Sequence, residues 1–181
     1  MRTIERFMNW LKSQKFWKVF LLATGFIFVW CLIIALTLRL LGAEFSQHVA
    51  KNEDLFLNSL FMLPMAALLE EILFRWGPML ILSFVLLWMH RTGHLSKERF
   101  FVVEKYAILI LTIVSGIVFG WVHGNIFNVL IQGVSGTVFM LIYLRIFFIR
   151  RDKGLRNRWQ IVSLAESTLL HTVSNLVMLI L

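Results

Sequence analysis

Apolar residues gather along this chain in long runs, not at alternate positions and not on one face of short helices. The runs fall at 19–41, 55–89, 106–123, 126–149 and 161–181. Crossing about 30 Å of hydrocarbon takes roughly 20 helical residues, and in that medium a helix satisfies its own backbone groups. The pattern predicts an all-α fold, a polytopic transmembrane helix bundle of about five spans. The second run holds 35 residues, more than one perpendicular crossing needs. Proline removes a backbone donor and crowds the preceding turn, so Pro64 and the pair Gly77 and Pro78 are the expected breaks, with the crossing beginning near Pro64. Ahead of the first run, Trp10, Phe16 and Trp17 are interleaved with Arg2, Arg6, Lys12, Lys15 and Lys18. That segment reads either as an interfacial amphipathic helix or as a basic cytoplasmic flank, 1–18, with aromatic anchors. The apolar stretch 19–38 exceeds the roughly 7–15 residues of a signal-peptide core and is expected to remain as a span.

Composition strengthens the membrane reading. Of 181 residues, 59% are hydrophobic and 15% charged, against about 45–50% and 25% in soluble domains, more apolar surface than one globular core conceals. With no internal repeat or linker, a single membrane-embedded domain, 1–181, is expected. A net charge of +8 on a soluble protein would raise the question of nucleic acid. Here the basic residues lie in clusters beside the spans, where membrane topology and anionic headgroups account for them, and no nucleic-acid partner is predicted. The clusters are the N-terminal segment, 90–105 and 150–158, while the 42–54 link is acidic and the turn near Gly124 carries no basic residue. Five spans place all three clusters on one side. The protein is thus expected to be a multi-pass protein of the cell membrane, with its N-terminus cytoplasmic and its C-terminus opposite. The single Cys31 excludes a disulfide framework and a thiolate metal site.

Ionisable residues inside spans carry the chemistry, since a charge at the bilayer centre costs at least a few kcal/mol and persists when paired or functional. They are Glu70, Glu71 and Arg75 in the second run, His123 closing the third, and His171 in the fifth, with Asn175 one turn further on. Residues four apart share a helix face, so Glu71 can pair with Arg75, while Glu70 diverges by about 100° and shares its face with Phe74. Phe119 lies one turn before His123 and can pack on its ring. Taken singly, each group is more often structural: a hydrogen-bonded membrane histidine, a buried ion-pair clip. Three spans that each carry polar groups are satisfied together when the groups meet.

The segments E-E-I-L-F-R at Glu70 to Arg75, F-G-W-V-H at Phe119 to His123 and H-T-V-S-N at His171 to Asn175 resemble the three ordered motifs of the CPBP family. That family comprises CAAX-prenyl endopeptidases, bacteriocin-processing proteins and abortive-infection proteins. The motifs E-E-x-x-x-R, F-x-x-x-H and H-x-x-x-N match without substitution within 70–175, and the first 54 residues carry none of the resemblance. The resemblance implies an intramembrane endopeptidase of the glutamic type, needing no metal or cofactor. Glu70 would activate water with help from His123, His171 and Asn175 would stabilise the oxyanion, and Glu71, Arg75 and Phe119 would support the site. The implied partner is a membrane-associated peptide or protein substrate: a prenylated protein, or a bacteriocin or pheromone precursor.

Other polar positions have plainer readings. Gly116, Gly120, Gly124, Gly133 and Gly136 form small-residue faces for helix packing. Glu166 is a rival base, better suited to a salt bridge or helix-terminus role. Arg39 and Arg145 lie near span ends and can snorkel. Asn125 and Asn128 cap a turn or meet substrate. Three further functions stay open from the residues: a zinc peptidase using Glu70, His123 and His171, a non-catalytic immunity or binding protein, and a proton-coupled carrier.

Overall fold

A computed structural model describes residues 2–40, 53–124, 126–152 and 159–180. Most of the 42–54 link, Asn125 and positions 153–158 lie outside the described residues. The rest is helical with short turns: α1 Arg2–Ser13, α2 Phe16–Leu40, α3 Glu53–Glu71, α4 Gly77–Arg91, α5 Lys97–Val122, α6 Ile126–Asn128, α7 Val134–Asp152 and α8 Trp159–Ile180. Four stretches are long and apolar enough to cross a membrane: Phe16–Leu40, Met62–Arg91, Lys97–Val122 and Ile126–Ile149. The fifth predicted run is also a helix, α8, of 22 residues. Ser163, Glu166, Ser167, His171, Ser174 and Asn175 place polar groups along its length.

The break expected at Pro64 is absent, because α3 runs through it without interruption. One missing donor is tolerated in a membrane helix, where neighbouring groups re-satisfy the backbone. Gly77 and Pro78 do not break the helix either; they widen it. Ile72–Trp76 form a π turn, in which Gly77 N–H reaches back to the carbonyl of Ile72. Pro78 has no N–H for the carbonyl of Phe74, and Ser115 Oγ on α5 donates to that carbonyl at 2.6 Å. The long run is therefore one continuous helical stretch, long and apolar enough to cross once from Met62 to Arg91. A second π turn, Val129–Gly133, joins α6 to α7. There the indole Nε1–H of Trp30 on α2 donates to the Leu130 carbonyl at 2.6 Å.

Helix α7 is the centre of the bundle. Phe139, Met140, Ile142, Tyr143, Leu144, Arg145, Ile146 and Phe147 are all buried, and eight positions in a nine-residue stretch exceed any single helix face. It packs on α1, α2, α5 and α8. The outer helices turn apolar side chains outward, among them Leu21 at 69% and Phe84 at 71% exposure, as a lipid-facing surface requires. Helix α5 meets the 129–133 turn at close range: a Cβ on Gly120 would lie 2.5 Å from the Val129 backbone. Gly124 does not continue this packing face. It ends α5 in a turn with φ of +134°, where glycine is favoured.

Arg145 does not snorkel. It is 5% exposed, donating through Nε to the Leu11 carbonyl (3.2 Å) and through Nη2 to the Gln14 carbonyl (2.5 Å). A cation at the carbonyl end of α1 offsets the helix dipole and satisfies orphan acceptors. Its Nη1 also pairs with Glu166 on α8 at 3.4 Å, so that carboxylate is in a salt bridge.

Candidate active site

The site forms where α3 gives way to the π turn. Glu71 and Arg75, one turn apart, pair at 3.0 Å with both side chains at 0% exposure. Arg75 Nη2 donates to the Gly136 carbonyl on α7 at 3.2 Å. Its guanidinium carbon lies 4.5 Å from the Phe119 ring and 5.4 Å from that of Phe139. Aromatic faces favour a desolvated cation. A Cβ on Gly136 would come within 2.8 Å of the Phe119 ring and 3.1 Å of Arg75 Nη2, so only glycine admits both.

Glu70 faces a different set of partners. Its Oε1 is 3.8 Å from His123 Nε2 and its Oε2 is 3.3 Å from His171 Nε2. The other nitrogen of each ring is engaged. His123 Nδ1 lies 2.6 Å from the Phe119 carbonyl, and His171 Nδ1 lies 3.0 Å from Glu71 Oε1. A carbonyl and an ion-paired carboxylate only accept, so each Nδ1 donates, and in the neutral ring Nε2 then carries the lone pair. Two imidazoles from different helices thus turn Nε2 toward the two oxygens of one carboxylate. The space between calls for a donor. At 3.8 Å the two atoms are too far apart for a direct hydrogen bond, and a water seated beside them reaches both.

Access divides the cluster. Glu70 and His123 are 27% and 26% exposed at the side chain, whereas His171 is 2% exposed. Water and a substrate can reach the first pair, while the others form the wall behind it. Phe119 holds that wall, with its ring 4.5 Å from His123, 5.5 Å from His171 and 5.3 Å from Phe74. Asn128 Nδ2 donates to the His123 carbonyl at 2.6 Å and fastens the turn.

Glu70, Glu71, Arg75, Phe119, His123 and His171 are thus brought together. Asn175 is half-buried one turn beyond His171, and among the described residues no hydrogen bond joins it to the cluster. The ring of His171 spans both glutamates, a contact the expected 100° divergence of their side chains did not suggest. Phe139 was missed by sequence reasoning. It is fully buried and stacks on His171 at 4.4 Å with 25° between planes, yet a phenylalanine in an apolar run carries no signal of its own. Gly136 was legible as a small residue, not as the acceptor for Arg75. Among the described residues no three His, Cys, Asp or Glu side chains are grouped to hold a metal ion. Comparison with protein-family models, curated proteins and solved structures finds no match.

Proposed function

We propose that this protein is an intramembrane endopeptidase of the glutamic type, cutting a peptide bond in a membrane-associated peptide or protein. One observation carries the reading: both oxygens of the half-accessible Glu70 are faced by the Nε2 atoms of histidines from two other helices. In this mechanism a water sits beside Glu70 Oε1 and His123 Nε2, within reach of both. Glu70 takes one of its protons as the oxygen attacks the carbonyl carbon. The carbonyl oxygen gains the charge and is met by donors from α8: Asn175 Nδ2, and His171 Nε2 when that ring carries a second proton beside its Nδ1–H to Glu71. Collapse of the tetrahedral species breaks the C–N bond, and the proton held by Glu70 passes to the departing amine. Glu71, Arg75, Phe119 and Phe139 keep His171 aimed throughout. The bundle lies in the cell membrane with its N-terminus cytoplasmic, following the basic residues of the 1–18 and 90–105 segments.

Membrane peptidomics of cells carrying the wild-type chain or Glu70→Gln tests the proposal. Expected is a set of cleavage products that vanishes with the substitution, persists in chelator and names the substrate. An unchanged product set from folded Glu70→Gln protein rejects peptide hydrolysis here. A phenotype that survives the substitution favours binding, and loss of activity in chelator that zinc restores favours a metallopeptidase.

A further inference from the structure

Behind the Glu71–His171 contact the bundle buries polar atoms that no protein group satisfies. Tyr143 is 0% exposed and its hydroxyl has no hydrogen-bond partner. Glu71 Oε2, on a side chain also at 0%, and the buried Oγ1 of the partly exposed Thr168 likewise have no partner. These atoms share one region. On α7, Gly136, Phe139 and Tyr143 follow at spacings of three and four and so lie on one face. The first two already touch Arg75 and His171. On α8, Thr168 lies one turn before His171, and Leu164, one turn earlier again, packs with Tyr143 in one apolar cluster. Tyr143 thus lies on the α7 face that meets Arg75 and His171, the two partners of Glu71.

A buried hydroxyl or carboxylate oxygen left without a partner is costly, and native interiors resolve such groupings with an ordered water that makes two to four hydrogen bonds. We propose that Tyr143 Oη, Thr168 Oγ1 and Glu71 Oε2 are the ligands of one internal water, which ties α7 and α8 to the back of the Glu71–His171 contact. The water is distinct from any attacking water. Its ligands are buried polar atoms, whereas Glu70 and His123 are partly exposed, and it stays with the fold. Its presence does not depend on whether the cluster cuts peptides.

Thermal unfolding of the full chain in detergent, for Tyr143→Phe, Thr168→Val and the double variant, tests the site. Each single change removes one ligand of a shared water and is expected to lower the midpoint by about 2–4 °C. The double variant should fall little further, because losing one ligand already releases the water. A midpoint that rises for Tyr143→Phe, as removal of an unsatisfied hydroxyl would give, overturns the proposal. Two losses that simply add also overturn it, since they assign the groups to separate surroundings. Activity of Glu70→Gln plays no part in either outcome, so failure of this site and failure of the peptidase reading are separable.

Discussion

Glu70 and Glu71 are neighbours in the chain with different neighbours in space. Glu71 meets Arg75 with neither side chain exposed. Glu71→Gln removes the counter-charge of a buried guanidinium, at about 3–5 kcal/mol for a fully desolvated pair. It also removes the acceptor that orients His171. The expected outcome is a low yield of folded protein and a reduced thermal midpoint. Glu70→Gln keeps volume and leaves the ion pair intact, so folded yield should match wild type while turnover per folded molecule collapses. Side-by-side expression, unfolding and turnover check both. Stable but inactive Glu71→Gln with active Glu70→Gln would reverse the assignments. The sequence displayed this pair because ionisable residues are rare in apolar runs. Phe139, an aromatic among aromatics, gave no comparable signal although it stacks on the same histidine.

At the scale of the element, proline and glycine act through backbone donors and clearance, and only part of that can be read in advance. Pro64 and Pro78 look alike in the sequence. The first passes within α3, and the second coincides with a π turn because Ser115 from another helix meets the freed Phe74 carbonyl. Nothing local to Pro78 encodes that serine, which is why the expected kink became a widened turn at the site. The small residues of α5 were legible as a packing face, and the contact distances make them testable. Gly120→Ala would drive a Cβ to 2.5 Å from the Val129 backbone. Backbone cannot rotate aside as a side chain does, so a loss of about 1–3 kcal/mol is expected, the range of overpacked cores. Gly25→Ala is the matched control, with nothing within 4 Å of its Cβ. It should be neutral, or up to about 1 kcal/mol stabilising from helix propensity. Equal effects at the two positions would remove close α5 packing as the cause.

Across the whole molecule, the buried α7 is the hub and Arg145 is its link to the N-terminal helix. Sequence position put Arg145 at a span end, and the long-range carbonyls of Leu11 and Gln14 that hold it inside lie more than 130 residues earlier. Arg145→Met should keep the stem's packing and lose those bonds, freeing α1 from the bundle. Limited proteolysis near Gln14 should then quicken while the spans stay intact, and unchanged cleavage would mean that α1 is held by packing alone. The chain's path gives the last expectation. Phe16–Leu40 and Met62–Arg91 are each one uninterrupted helical stretch. One crossing by each stretch returns the chain to its starting side and predicts that the N-terminus and the α4–α5 turn at Ser96 share a face of the membrane whichever way the bundle is inserted. In the proposed orientation that face is cytoplasmic, following the basic residues Arg91, Lys97, Arg99 and Lys105 beside the turn and those of the first 18 residues. Reporter fusions at Ser96 should read cytoplasmic, and fusions within 43–51 should read external. Agreement between the two sites would refute one crossing per stretch, and an inverted pair would keep the bundle and reverse its orientation.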